Sequence, residues 1–268
     1  TGRAEGVPYG VAVGNHDQTP FGDASGSTAL YNATFGVARF AERSWYGDHH
    51  GDDNDNHYEF FSGGGTDFLV LHLEYDPAVD PQVLAWAAGV LIAHNERLAI
   101  VVSHHLIDTA GTWGDQGLAI YEALKDRPNL LLMLSGHVAG TGRRSDTWGD
   151  RTVHTLLSDY QGLANGGDGW LRLMRFTKTA GTLSVQTWSP TLGAFDSSDE
   201  NAFTLTVDLD WPLGETDTDT RPDSGTDSAT VTVTELPQDS GAAPADPIDD
   251  TVTPPCGCST GLGAGWWG

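Results

Sequence analysis

The apolar residues of this chain fall into short blocks separated by polar turns, and the spacing within the blocks changes along the sequence. Residues 7–13 (VPYGVAV) predict a short strand, and residues 66–76 (TDFLVLHLEYD) predict a second with Phe68, Val70 and Leu71 at its centre. Residues 81–96 (PQVLAWAAGVLIAHNE) open on proline and carry apolar side chains at helical spacing, so they predict a helix. A continuous apolar strand follows at 97–105 (RLAIVVSHH), then a helix at 115–128 closed by Pro128, then a third apolar strand at 129–137 (NLLLMLSGH). The stretches RTVHTLLSDYQ, WLRLMRFT and TLSVQTWSP read as further strands. Lys178-Thr179-Ala180-Gly181 turns the last two into a hairpin, and AFTLTVDLDW ends the series. Strand–helix–strand units followed by a run of strands predict an α/β sandwich with mixed sheets.

This patterning stops near Trp211. Residues 213–255 contain ten Asp or Glu, one Arg, no Lys and no aromatic residue. Such a segment buries too little apolar surface to offset its ordering entropy, and it reads as a disordered acidic linker rich in Thr, Asp and Pro. The organisation expected is therefore a folded domain over 1–212, a linker over 213–255 and a short tail over 256–268. The formal charge of the whole chain is −24. That balance disfavours nucleic acid and anionic membranes as partners and is compatible with divalent metal. The two cysteines, Cys256 and Cys258, are confined to the tail, so no disulfide holds the core and no cysteine-rich zinc site is expected.

Three apolar blocks end in the same manner, with polar residues following at once: VAVGNHD, AIVVSHH and LLMLSGH. In α/β proteins ligands bind just beyond the carboxyl ends of strands. Neighbouring strands would therefore bring Asn15, His16, His104, His105 and His137 together. Imidazole nitrogens combined with an amide or carboxylate oxygen suit zinc, iron or manganese.

Gly14-Asn15-His16-Asp17, then Ser103-His104, then Gly136-His137 resemble, in order and context, the later motifs of calcineurin-like metallophosphoesterases. The flanking stretches YNATFGVARFAERSWYG, DNDNHYEFFS, FLVLHLEYD, LSGHVAGTGRRSDTW and TVHTLLSDYQGLANGGDGWLRLMRF extend the likeness to one bacterial branch through most of residues 7–210. The resemblance implies a metal-dependent hydrolase of phosphomonoesters or phosphodiesters. Its two ions (Mn, Fe or Zn) lie about 3.5–4 Å apart and generate the attacking hydroxide. It implies Asn15, His104 and His137 as ligands of the second metal. His16 becomes the proton donor to the leaving group, and Asp17 its hydrogen-bonded partner.

The chain departs from the family twice. The Asp-x-His and Gly-Asp-x-x-Asp blocks belong upstream of Gly14, and the thirteen residues before it match neither. The resemblance thus implies a C-terminal portion whose N-terminal strands are missing. The family's Gly-His-x-His block reads Gly136-His137-Val138-Ala139 here, so the last ligand is replaced by Ala139. One metal half-site is evident where the family has two, and weak or absent activity is expected of this chain alone. The alternative is a non-catalytic, surface-anchored binding module that kept one metal site.

Asp159, Tyr160 and Asn165 follow a strand and are candidates for the substrate rim. GDHHGDDNDNHYE (47–59) reads either as a metal loop or as a polar surface loop, and its spacing fails the EF-hand pattern. Arg143 and Arg144 read as phosphate contacts or as surface residues, His154 as a core residue, and His72 and His94 receive no role. Ser103 lacks the surroundings of a serine nucleophile. The tail PPCGCSTGLGAGWWG resembles the start of a myxobacterial C-terminal sorting tag. That implies export, anchoring to the cell envelope, and an extracellular or outer-surface location.

Overall fold

The computed structural model describes residues 6–210. The expected linker at 213–255 and the tail with Cys256 and Cys258 lie outside the described residues.

The described chain opens with two short helices, α1 (Ala29–Phe35) and α2 (Val37–Phe40), and then a β-meander: β1 (Tyr46–His49), β2 (His57–Gly63) and β3 (Thr66–Leu73). Helix α3 (Pro81–Ala93) leads to β4 (Leu98–Ser103), and α4 (Asp115–Leu124) leads to β5 (Leu130–Ser135). A hairpin of β6 (Gly140–Trp148) and β7 (Arg151–Asp159) follows. Strands β8 (Leu171–Thr177), β9 (Thr182–Ser189), β10 (Ala194–Asp196) and β11 (Phe203–Thr206) end the described chain.

The larger sheet has the order β1-β2-β3-β4-β5-β7-β6. Its centre is parallel (β3, β4, β5, β7) and its two flanks are antiparallel. In the smaller sheet β9 pairs with β8 along one edge and with β10 and β11 along the other. The protein is thus α/β with a mixed seven-stranded sheet and few helices.

The alternation within β3 fixes its place between two cores. Leu69, Leu71 and Leu73 face Ala87 and Leu91 of α3 and Ile120 and Leu124 of α4. Phe68 on the opposite face joins Ile100, Leu132 and Leu156 against Leu183 and Val185 of the smaller sheet. Strands β4 and β5 are covered on both faces, which is why they read as unbroken apolar runs. Each fully buried leucine here contributes about 2 kcal/mol of burial free energy. Helix α3 starts as its sequence dictates: Pro81 is the first helical residue and the Asp80 carboxylate accepts from the Gln82 N–H at 2.8 Å.

Three sequence expectations need correction. Residues 7–13 form no strand. The segment crosses the face of β2 and β3 instead of lining a sheet edge, and Gly10 sits directly on Glu59 and His72. Its backbone groups therefore find isolated partners: the Val13 carbonyl accepts from the Tyr75 N–H and the Val11 carbonyl from the Tyr31 hydroxyl. Strand β6 was not expected, because GTGRRSDTW has no apolar alternation; it is an edge strand held by its ladder with β7. The helices end earlier than predicted, at Ala93 and Leu124. Among the described residues no helix is long and apolar enough to cross a membrane.

Candidate metal-binding site

Strands β3, β4 and β5 are parallel neighbours, so their carboxyl ends open on one side of the sheet. His104 follows β4 and His137 follows β5, and the Gly136 N–H donates to the His104 carbonyl at 3.1 Å, clipping the two strand ends together. Asn15 arrives from the segment that crosses the sheet face. The Nε2 atom of His104 lies 2.8 Å from Oδ1 of Asn15 and 3.0 Å from Nδ1 of His137. Three potential ligand atoms from distant parts of the chain thus meet around His104 Nε2.

Local features hold this arrangement. A side chain at Gly14 would put a Cβ 3.0 Å from the His104 ring, so the glycine lets the backbone reach the imidazole. The Asp17 N–H donates to the Gly14 carbonyl at 3.0 Å, and the Asp17 carboxylate accepts from the Gly14 N–H at 2.8 Å. His137 takes φ of 70°, a left-handed conformation uncommon for a residue with a side chain and characteristic of functional positions. Burial, reinforced by neighbouring His137, lowers the pKa of His104 to about 4, which leaves its imidazole neutral with a lone pair to offer. Burial followed by His137 also lowers the pKa of His105. Two imidazoles and an amide oxygen fit a borderline divalent metal.

The other expected site residues divide. His16 is exposed and packs edge-on against Phe21, with ring centroids 4.6 Å apart. The expected hydrogen bond from Asp17 to His16 is not formed, because closing the tight turn onto Gly14 engages that carboxylate. Asp159, at the end of β7, is near enough for its charge to act on His104. Tyr160 is drawn away: its hydroxyl bonds Thr187 and Asn201, both at 3.1 Å. Asn165 donates to Asp168 at 2.8 Å within a turn where both residues have positive φ. Neither joins the trio. Ala139 lies against the same loop, since a Cβ at Gly162 would be 3.2 Å from its methyl group.

Arg143 stacks on Phe203, and Arg144 is held by Asp146 and the Gly111 carbonyl, so both serve packing. His154 bridges Ser145 and the Thr206 carbonyl, as a core residue would. Tyr75 was missed: its ring lies 5.7 Å from that of His104 and 5.5 Å from that of His137. The signal was present, because Tyr75 follows the end of β3 and the same strand-end logic applies.

A cavity of about 740 Å³ adjoins the site. Its lining includes Asp23, Asp53, Asp55, Asn56, Glu74 and Asp76, and Gly22, also in the lining, is close to both Asn15 and Tyr75. The 47–59 loop forms part of this wall. Burial pushes Glu74 up to about 7, against the opposing hydrogen bond from Asn56. Asp55 is also raised by burial, although Thr28 and Asn32 donate to it.

A second group was not anticipated. His57, Glu59 and His72 are buried on the face of β2 and β3 opposite α3 and α4, and one potential ligand atom from each lies within 4.8 Å of the others. This group could bind a metal ion. No sequence rule singled it out, because alternate positions of two strands carry it.

No protein-family model matches the chain. It is 32% identical over 228 residues to the uncharacterized protein YvnB of Bacillus subtilis (strain 168), an alignment covering 80% of this chain and 17% of that protein. The chain therefore spans about a sixth of the length of that relative. Among solved structures it overlaps GAP50, the anchor in the inner membrane complex of Plasmodium, with a TM-score of 0.37 and 14% identity over 60% of this chain and 59% of that one. An overlap at that level carries no argument.

Proposed function

We propose that the chain belongs to a metal-dependent phosphoric ester hydrolase of the calcineurin-like metallophosphoesterase type, acting on phosphomonoesters or phosphodiesters, with at most weak turnover by this chain alone. The observation that carries this reading is the meeting of Asn15, from the segment that crosses the sheet face, with His104 and His137 at neighbouring strand ends, in steps of 2.8 and 3.0 Å. Asn15 Oδ1 and one ring nitrogen from each histidine would hold a divalent ion (Mn, Fe or Zn). Such an ion polarises a phosphoryl oxygen and lowers the pKa of bound water. The protein's own part is placement. Gly14 and the Asp17 turn fix Asn15, and burial keeps His104 neutral. Exposed His16 beside them is free to give a proton to a leaving oxygen. The acidic cavity disfavours polyanionic substrates such as nucleic acid.

Turnover of p-nitrophenyl phosphate and its bis ester by the 268-residue chain with added manganese tests the proposal. Loss of that turnover in His104→Ala and His16→Ala supports it, and turnover that survives both substitutions sinks it.

A second reading, a surface-anchored binding module with one metal site, is favoured by Ala139. A methyl group packed against Gly162 stands where the family would place a further ligand. Metal binding at Asn15, His104 and His137 without any turnover would decide for it. Fractionation of cells producing the protein tests the accompanying proposal of an outer-surface location.

A further inference from the structure

We propose that His57, Glu59 and His72 form a second metal site, buried and structural, that takes zinc or a similar divalent transition ion. His57 and His72 are directly opposite on antiparallel β2 and β3, and Glu59 follows His57 on the same face. The three residues are 1%, 3% and 5% exposed.

Hydrogen bonding shows what the cluster lacks. Nδ1 of His57 lies 2.8 Å from the Asn54 carbonyl, which can only accept, so Nδ1 carries the proton. In the neutral ring Nε2 is then a bare acceptor. It faces Oε2 of Glu59 at 3.8 Å, and neither atom has a hydrogen-bond partner. Nε2 of His72 lies 2.7 Å from the other carboxylate oxygen, which leaves Nδ1 of His72 unpartnered as well. Two buried bare acceptors facing each other are costly, and a cation between them would satisfy both. An ion at the usual zinc distance of about 2.1 Å from each would subtend an angle of about 130° across this gap.

Two imidazoles and one carboxylate suit zinc. The rings of His57 and His72 are parallel within 7° at 4.7 Å, so they cannot both aim in-plane lone pairs at one ion as they stand. Binding through Nε2 therefore requires the His72 ring to tilt out of the stack and its single proton to move from Nε2 to Nδ1, the tautomer that offers Nε2 as a ligand. His57 is the fixed partner, because Phe40 and Tyr46 stack on it. Gly10 closes the site from above: a Cβ there would lie 2.0 Å from Glu59 Oε1 and 2.3 Å from His72 Nε2.

The test separates this site from the one at Asn15, His104 and His137. The 268-residue chain and its His104→Ala/His137→Ala variant are stripped with a chelator, reloaded with zinc, desalted and measured for metal. The double variant is expected to retain one zinc per chain. Adding Glu59→Gln, which keeps the shape of the side chain, is expected to remove it while circular dichroism stays native. With cobalt as probe, visible d–d bands appear in the double variant and vanish with Glu59→Gln or His57→Phe. A double variant that holds no zinc overturns the proposal, and so does zinc retention unaffected by both Glu59→Gln and His57→Phe. If the strand-end site binds nothing, wild type and double variant hold the same single ion.

Discussion

The Nε2 atom of His104 lies 2.8 Å from Oδ1 of Asn15 although 89 positions separate the two residues. Asn15 is buried and His104 half-buried, and under the proposed function a divalent ion would take both atoms as ligands. Replacing His104 or His137 by alanine is expected to lower manganese-dependent ester hydrolysis by roughly 100-fold or more, since lost ligands cost at least what lost outer partners do. Initial rates at saturating manganese check this.

His137 has a left-handed backbone, with φ of 70°. His137→Gly and His137→Ala should both lose metal. The glycine variant is expected to be the more stable by roughly 0.5–1 kcal/mol, because glycine adopts that conformation without a Cβ penalty. Urea unfolding of the two variants checks it, and equal midpoints would contradict the strain.

Glu74 should impose a pH slope on stability. Burial raises it from the ordinary 4.5 to about 7, so between those values the folded state binds more protons than the unfolded one. Its contribution is full below about 4.5 and is lost as the pH rises through about 7. His104 acts oppositely, with a contribution present above 6.5 and lost as the pH falls through about 4. The difference between wild type and Glu74→Gln isolates the first effect. The melting temperature of the variant should fall less than that of wild type between pH 5 and pH 7.5.

Asn129 is completely buried, and its amide donates toward the carbonyls of Leu91, His94 and Arg97 at 3.1, 3.2 and 3.0 Å. These include carbonyls from the last turn of α3 and the residues just beyond it. The His94 carbonyl also accepts from the Arg97 N–H at 3.0 Å; Asn129→Ala removes the shared amide donor and is expected to cost roughly 1–3 kcal/mol, read from chemical denaturation.

Gly10→Ala drives a methyl group into Glu59 and His72. The expected result is a loss of roughly 1–3 kcal/mol, the range for overpacking, checked by thermal melting.

Local patterning by itself determined the elements whose sequence answers directly to burial. The alternation in β3, the unbroken apolar runs of β4 and β5, and the Asp80-Pro81 start of α3 are each legible because solvent exposure sets the residue type. The strand-end rule placed His104 and His137 side by side after β4 and β5, but it reached Asn15 only through a strand at 7–13 that does not form. Tertiary structure decided what depends on the neighbour. Residues 7–13 have the composition of a strand, yet they cross the sheet face, because an apolar run does not state where its hydrogen-bond partners lie. Asp17 turned to its own backbone and left His16 to solvent and Phe21. Tyr160 went to the second sheet. Strand β6, with its arginines and aspartate, is a strand only because β7 supplies the ladder. His57, Glu59 and His72 are unremarkable as letters on two strands. They become a cluster only through the antiparallel register that sets His57 against His72, and no local pattern encodes which strand lies beside which.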